Sequence, residues 1–307
     1  LDKNGNPKIQ LIDALDFQNP KRNNVDPDFF LKGGNVISVG GGFESNTIFE
    51  KVFAPDNIPI INNFEVFQGI VTGNNPVYIF DEKTQWENSI IEPQLLHILL
   101  HGRDFNKWII KNTERRILYV DSHTEIADYP NAEKYLLKFK ENLSKRRECL
   151  NGAIPWYSLQ WARDLKQLDT TPKILVQNTR NERLKPRIVA TVDEIGVYGS
   201  QGMNFIVPKS VEYSIYFLIA IINSKLINYI FATKFLNLAI KAEYLKQLAF
   251  PSILKSQQLV FENLSSKILN TKKSSTTADT SALETEVDRL VYELYGLTEE
   301  EINTIEK

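Results

Sequence analysis

The stretch that decides the fold is residues 66–80, which read VFQGIVTGNNPVYIF. β-Branched and aromatic residues at both ends favour extended strands. Between them, Thr72-Gly73-Asn74-Asn75 supplies residues that tolerate the positive φ of a tight turn. The stretch therefore predicts a strand, a turn at residues 72–75 and a second strand.

Further strand candidates lie downstream of this stretch. They are the strand-like Arg116–Val120, two candidates at Lys173–Val176 and Arg187–Val192, and Asn204–Val207, which a turn-rich segment precedes. The predicted fold class is α+β: a twisted, partly antiparallel mixed sheet spanning residues 60–210 with flanking helices, followed by a helical C-terminal part.

Apolar residues at helical spacing predict the helices. Residues 131–147 form the clearest one, with Asn131 as its cap and lysines on the face opposite its apolar stripe. Residues 213–236 are apolar but carry polar and charged residues, which predicts a buried helix pair rather than a membrane span. Helices continue to Asn270, Asn270–Ser281 has the composition of a flexible linker, and Thr298–Glu301 predicts a capping box before a final helix.

The charge is distributed unevenly along the chain. The formal net charge of the 307 residues is -2. Residues 101–190, however, hold 18 Lys and Arg against 11 Asp and Glu, whereas both flanking segments are net acidic. Such a concentration of cations predicts an anionic partner for the middle of the chain.

Candidates for catalytic or metal chemistry are few. The single cysteine excludes an intrachain disulfide, which fits a cytoplasmic protein. His97 and His101 stand at helical spacing, but packing is favoured over metal binding because no third ligand is evident. The glycine runs at 33–34 and 40–42 lack phosphate-loop spacing, so turns are favoured there. We expect no catalytic residue, no metal and no cofactor.

One set of short segments follows in order along the chain: Phe67–Asn75, Leu100–Asp104, Tyr129–Leu136, Leu143–Arg147, Pro155–Tyr157, Pro172–Leu175, Ile221–Leu226 and Tyr244–Pro251. Taken together, these segments resemble the C-terminal specificity (target-recognition) domain of TaqI-like type II adenine-specific DNA methyltransferases and fused restriction–modification enzymes. The resemblance implies a module that recognises sequences in double-stranded DNA. It also implies, in the same polypeptide, a methyltransferase domain and possibly a nuclease domain. The Asn-Pro-Pro-Tyr motif and the cofactor loop of the catalytic half are absent from this sequence, so the chain is expected to be non-catalytic by itself.

The resemblance also sets the expected domain limits. Residues 1–65 are expected to be a connector leaving a missing catalytic domain, since the sequence starts without Met. Residues 66–252 are the expected recognition domain, and residues 253–307 a helical segment containing the linker at 270–281. The alternative is the specificity subunit, or a helical protein-interaction scaffold, of a multi-subunit restriction system.

The candidate DNA-binding residues fall into two chemical groups. Cations suit phosphates, whereas Asn and Gln suit adenine and Arg suits guanine. The cationic candidates for phosphate contacts are Lys138, Lys145, Arg146, Arg147, Arg180, Arg183, Lys185 and Arg187. The candidates for base reading are Thr72, Asn74, Asn75, Arg103, Asn106, Lys107, Gln177, Asn178, Arg180 and Asn181. A solvated charged surface remains an equal explanation for Lys138 and Lys145, and turn chemistry explains residues 72–75 almost as well.

Overall fold

The computed structural model describes residues 9–13, 21–25, 43–81, 91–111, 113–180, 184–235 and 238–307. The strands are β1 (Ile9–Asp13), β2 (Lys21–Val25), β3 (Ile58–Pro59), β4 (Phe64–Gln68), β5 (Ile79–Phe80), β6 (Leu96–Leu100), β7 (Phe105–Asn106), β8 (Ile109–Ile110), β9 (Arg116–Leu118), β10 (Lys173–Gln177), β11 (Ala190–Asp193), β12 (Tyr198–Gly199), β13 (Met203–Pro208) and β14 (Ala249–Phe250).

The α-helices alternate with these strands and then dominate the C-terminal third. They are α1 (Phe43–Val52), α2 (Ile60–Asn63), α3 (Asn75–Tyr78), α4 (Pro130–Leu137), α5 (Lys140–Ser144), α6 (Arg147–Leu150), α7 (Leu165–Asp169), α8 (Ile215–Asn223), α9 (Lys225–Thr233), α10 (Ala242–Leu245), α11 (Lys255–Ser274), α12 (Ser281–Leu294) and α13 (Glu299–Glu306). The α+β class is confirmed.

Two four-stranded sheets take the place of the single predicted sheet. The first sheet has the order β11-β10-β13-β4 and is antiparallel throughout. The second sheet has the order β12-β6-β9-β5, and its β12 and β6 are parallel. Small two-stranded pairings join β1 to β2, β3 to β14 and β7 to β8.

The first sheet is buried on both faces, because side chains that alternate along each strand enter different apolar clusters. On β10, Ile174 and Val176 pack into the main core with α8 and α9, whereas Leu175 packs on the opposite face. On β13, Phe205 packs with Leu175 while Ile206 joins the main core. The cluster around Leu175 and Phe205 also contains residues of the second sheet, so it lies where the two sheets meet.

The main core extends beyond the central strands in both directions along the chain. It includes Ile48 and Val52 of α1, which lie within the segment expected to be a connector. It also includes Leu269 of α11 and Val291 of α12. The N-terminal and C-terminal helices therefore share one core with the first sheet.

The two strands predicted within the stretch 66–80 are observed, but they do not pair with each other, and a helical turn precedes the second strand. β4 pairs with β13 in the first sheet, and β5 pairs with β9 in the second. Between them Asn75–Tyr78 forms one helical turn, and Pro76 lies at its start. Proline suits this position because the first N–H groups of a helix have no acceptor within the helix. The stretch crosses from one sheet to the other because its two ends are buried in different apolar clusters. Val66 belongs to the main core, whereas Val77 and Phe80 belong to the cluster beside the second sheet.

The helix predicted over residues 131–147 is divided into α4, α5 and α6, so this prediction is wrong in length. Tyr129 rather than Asn131 precedes the first turn. The carboxylate of Glu92 accepts hydrogen bonds from the backbone amides of Asn131 and Ala132, at 2.9 and 3.0 Å. An acidic group 39 positions away in sequence thus caps this helix, which local spacing does not reveal.

The predicted helices of the C-terminal part are observed. α8 and α9 form the buried pair, and Thr298 caps α13 in the predicted capping box with Glu301. α11 continues to Ser274, beyond the expected start of the linker at Asn270. Among the described residues no single helix is long and apolar enough to cross a membrane; α8 and α9 reach that length only together, and they are bent by 57° at Ser224.

Candidate nucleic-acid interface

The ends of several strands converge on one open cleft. β4 and β10 both run antiparallel to β13, so they are parallel to each other and end at the same edge of the first sheet, at Gln68 and Gln177. In the second sheet the parallel strands β6 and β12 end at Leu100 and Gly199. A bridge between Ile70 and Ser200 joins the two edges. The polar residues that follow these strands therefore face a common space.

The cleft has a volume of about 1210 Å³ and is lined by polar and basic groups. Seven carboxamides line it: Gln68, Asn74, Asn75, Asn106, Gln177, Asn178 and Gln201. His101 and the three cleft cations, which are Arg103, Lys111 and Arg180, complete its ionisable groups. None of the described lining residues is an Asp or a Glu. An anionic ligand therefore meets donors and positive charge here without a carboxylate to repel it.

Glycine permits the close approach of the two sheets. A Cβ on Gly69 would lie 2.2 Å from the carbonyl oxygen of Ser200. A Cβ on Gly199 would lie 2.5 Å from the ring of Phe205. Both distances are too short for any side chain, so the junction that forms the floor of the cleft requires glycine at both positions.

The loop of residues 69–75, here called the recognition loop, forms one wall of the cleft. Val71 pairs with Trp161, and Thr72 is buried. The Thr72 hydroxyl donates to Oδ1 of Asn75 at 2.6 Å and accepts from the backbone amide of Asn74 at 3.2 Å. Gly73 has a φ of 75°, which glycine adopts at no steric cost. The two asparagines are thereby held in a defined loop conformation.

The opposite wall follows β10. The Gln177 amide donates to the carbonyl of Phe105 at 2.9 Å, and its Oε1 accepts from Nη1 of Arg180 at 3.2 Å. Nε of Arg180 donates to the carbonyl of Pro186 at 2.6 Å. Arg180 is thus fixed through two of its nitrogens, while its planar guanidinium lines the cleft.

His101 lies on the cleft floor, with its Nδ1 2.8 Å from the Ser200 hydroxyl. Its backbone amide donates to Asp104, whose carboxylate pairs with Arg115 at 2.5 Å. Burial, and then the charge of Arg115, lower the pKa of His101 below its usual 6.5. At neutral pH its imidazole is therefore uncharged and presents one donor and one acceptor.

The helical spacing of His97 and His101 is not realised, because Leu96–Leu100 is a strand. His97 stacks on the ring of Tyr198, with the ring centroids 4.1 Å apart. Within the described residues no group of three or more His, Cys, Asp or Glu side chains is placed to hold a metal ion. The glycine runs at 33–34 and 40–42 lie outside the described residues.

The structure brings eight of the predicted DNA-binding residues together in the cleft. These are Thr72, Asn74, Asn75, Arg103, Asn106, Gln177, Asn178 and Arg180. They come from chain segments more than 100 residues apart. Their contact with a ligand stays a prediction, but their convergence is a property of the fold.

The remaining predicted residues lie elsewhere. Lys107 pairs with Glu284 of α12 at 2.5 Å. Arg187 is buried and donates to the carbonyl of Arg180 at 3.0 Å, which leaves it little access to a phosphate.

Other predicted cations lie on exposed surface or contact protein groups. Lys138 lies over the ring of Tyr135, and Lys145 pairs with Glu141 at 2.7 Å. Arg147 and Lys185 are exposed and do not line the cleft. The side chain of Arg146 donates to the backbone carbonyl of Thr72 in the recognition loop. Asn181 and Arg183 lie outside the described residues.

Sequence reasoning missed six polar residues among those that line the cleft. They are Gln68, His101, Lys111, Thr179, Ser200 and Gln201. Gln68, His101 and Ser200 each end or directly follow a strand, which was the available signal. It was not decisive, because the sequence does not show which strand ends share an edge.

Comparisons with known proteins agree with this architecture. The family model described as the TaqI-like C-terminal specificity domain matches residues 97–250. The fold is similar to that of the type IIL restriction–modification enzyme MmeI, whose structure was determined in complex with DNA. The TM-score is 0.59 at 14% identity, and the match covers 97% of this chain and 40% of that one. The type IIG restriction endonuclease BpuSI also matches, with a TM-score of 0.45 at 12% identity, over 83% of this chain and 34% of that one. The chain therefore spans well under half the length of these enzymes.

Proposed function

Because the chain belongs to the TaqI-like C-terminal specificity domain family, we propose that it recognises a base sequence in double-stranded DNA for a restriction–modification enzyme. The observation that carries this proposal is the cleft at the joined edges of the two sheets. It gathers seven carboxamides and three cations with no carboxylate among its described lining residues. The DNA complex formed by the similar enzyme MmeI supports the proposal.

The side chains of the cleft divide into two roles in this proposal. Carboxamides pair with the N6 and N7 atoms of adenine, and a guanidinium pairs with O6 and N7 of guanine, both in the major groove. Gln177, Asn178 and Arg180, together with Asn74 and Asn75 on the facing loop, are the base-reading groups. The side chains of Asn75, Gln177, Asn178 and Arg180 make hydrogen bonds within the protein. A fixed side chain discriminates between bases better than a mobile one.

Phosphate contacts are assigned to the more exposed cations, Arg103 and Lys111, and to the exposed amide of Asn106. Nζ of Lys111 also donates to the carbonyl of Arg103. These groups position the duplex and contribute the salt-dependent part of the affinity.

The chemistry of the parent enzyme is assigned to parts outside this sequence. We propose that the chain is the non-catalytic recognition part of an adenine-specific methyltransferase or a type IIG enzyme. Support comes from the sequence, which lacks the Asn-Pro-Pro-Tyr motif that holds a flipped adenine. The methyltransferase domain, and any nuclease domain, would belong to the same polypeptide.

Fluorescence anisotropy with the full chain tests this function. A random-sequence duplex library is first enriched on the chain to find a preferred sequence, and binding is then measured with labelled duplexes at several salt concentrations. We expect Arg180→Gln to weaken binding of the preferred duplex by about tenfold, which corresponds to one lost bidentate contact. The matched control is Lys246→Gln, because Lys246 is exposed and does not line the cleft.

Two results would count against the cleft as the DNA site. One is the absence of saturable binding at micromolar protein and low salt. The other is equal binding by the Arg180 variant and the Lys246 variant.

A further inference from the structure

Arg146 lies behind the recognition loop and contacts three backbone carbonyls from different segments. Its Nη1 donates to Thr72 at 3.3 Å, its Nη2 to Trp156 at 2.7 Å and its Nε to Leu143 at 3.0 Å. The guanidinium also lies over the ring of Tyr78, 5.9 Å from its centroid. The planar fork of arginine is the side chain that can reach three such acceptors at once.

The same side chain packs against the apex of the loop. A Cβ on Gly73 would lie 3.0 Å from Cβ and Oε1 of Gln160 and 3.2 Å from Cδ of Arg146, so these two side chains fill the space behind this glycine. The backbone amide of Gln160 also donates to the Thr72 carbonyl at 3.3 Å. Arg146 therefore fixes the loop together with Gln160, and it is the member of the pair whose side chain also bonds Trp156 and Leu143.

A second arginine holds the start of the loop. Nε of Arg163 donates to the carbonyl of Gly69 at 3.1 Å. Arg163 has a φ of 72°, a left-handed conformation that is rare for residues other than glycine. The hydroxyl of Tyr119 donates to the Arg163 carbonyl at 2.7 Å and holds this strained backbone in place. Strain that the surroundings maintain is typical of functional sites.

We propose that Arg146 is a positioning residue that sets the base selectivity of the cleft by fixing the recognition loop, rather than a phosphate contact. This inference rests on the proposed DNA-binding function. Asn74 and Asn75 project from a loop whose carbonyls are held from behind, and base discrimination requires their amides to stay within a fraction of an ångström of one geometry. The sequence predicted that Arg146 contacts a phosphate. This proposal replaces that role, because its side-chain nitrogens already donate to carbonyls of the protein.

The test compares Arg146→Lys and Arg146→Gln with Arg147→Gln in the full chain. Arg147 is the adjacent residue and is exposed, so it is the matched control for charge. Each protein is titrated with the preferred duplex and with a random duplex over a range of salt concentrations. We expect both Arg146 variants to lose about tenfold in the ratio of preferred to random affinity, with an unchanged salt slope on random DNA. Arg147→Gln should keep that ratio.

The lysine variant separates positioning from phosphate binding. Lysine keeps the charge, but it is a single point donor that cannot span three carbonyls. If Arg146 contacts a phosphate, Arg146→Lys will resemble the unmodified chain, and Arg146→Gln will reduce the salt slope by about 0.9 with selectivity intact. That result would overturn the proposal. Should Arg146→Gln not fold, as judged by circular dichroism, the lysine variant alone decides.

A measurement without DNA separates failure of this inference from failure of the proposed function. The amide of Val71 donates to the Trp161 carbonyl, and that of Asn74 donates to Thr72 Oγ1. We expect these two amides to exchange hydrogen about tenfold faster in Arg146→Lys than in Arg147→Gln. Equal exchange rates would contradict the positioning role whether or not the chain binds DNA.

Discussion

Replacing Gly69 by alanine tests the junction that forms the cleft. The new Cβ would lie 2.2 Å from the Ser200 carbonyl oxygen, and contacts below 3.0 Å are essentially never observed, so the sheets must separate by about 0.8 Å or more. That movement strains the hydrogen bonds from Gly69 N to Met203 O, 2.9 Å, and from Ile70 N to Gly199 O, 2.8 Å. Overpacking costs about 1–3 kcal/mol, and each weakened hydrogen bond costs up to about 1 kcal/mol. We therefore expect a loss of about 3 kcal/mol.

Urea and thermal unfolding followed by circular dichroism measure this loss. For a protein of this size about 3 kcal/mol corresponds to a fall in Tm of roughly 5 °C. Gly202→Ala is the matched control, because its Cβ would meet only the Ser200 hydroxyl at 3.8 Å and its backbone is not in the left-handed region. We expect that variant to lie within about 0.5 kcal/mol of the unmodified chain or to be slightly more stable. If Gly69→Ala and Gly202→Ala unfold at the same temperature and urea concentration, the reasoning about the close approach of the sheets is wrong.

Three further predictions concern buried charge, pH and salt. Asp193→Ala should lower the free energy of unfolding by about 3–5 kcal/mol in urea titrations, because the buried charge of Lys173 would lose its partner. Nζ of Lys173 lies 2.7 Å from Asp193 in a fully buried pair. A loss under about 1 kcal/mol would contradict this prediction. Burial lowers the pKa values of His97 and His101 in the folded state, so on acidification the unfolded chain binds these protons first. The contribution of the two histidines to stability should therefore be constant above about pH 7 and be lost as the pH drops below the usual histidine pKa of 6.5. Comparing urea midpoints at pH 7.5 and 5.5 checks this, and the double variant His97→Gln/His101→Asn should show a smaller fall. If Arg103 and Lys111 each bind one phosphate, affinity for random DNA should drop roughly 12-fold between 50 and 200 mM salt; a salt slope near zero, measured by anisotropy, would exclude phosphate contacts.

Local sequence signals predicted the elements whose stability is itself local. The capping box of Thr298 and Glu301 requires residues only three positions apart, and it forms as expected. Lys173–Val176 was likewise predicted as a strand and lies in β10. Asn131 failed as a helix cap because Glu92, distant in sequence, supplies the acceptor.

The candidate site was predictable as residue types but not as an arrangement. Amides and cations near Arg180 and Asn74 were identified as base-reading groups from their hydrogen-bonding capacity alone. Arg146 and Arg187 were predicted to contact phosphates because a charge count does not show where a side chain points. The structure turns the donors of Arg146 towards the carbonyl of Thr72 and those of Arg187 towards the carbonyl of Arg180.

The sequence by itself determined the α+β class, the C-terminal helices and the membership of a specificity-domain family that the order of its motifs indicated. It also predicted the strands β4, β5, β9, β10, β11 and β13. Only the tertiary structure decided that residues 66–80 divide between two sheets, with β4 pairing with β13 and β5 with β9. The physical reason is that strand pairing depends on which apolar faces are buried together, over separations of tens to more than 100 residues, whereas turn and cap chemistry acts within a few residues. The cleft exists because Gly69 and Gly199 let two sheet edges meet, and no local pattern encodes that meeting.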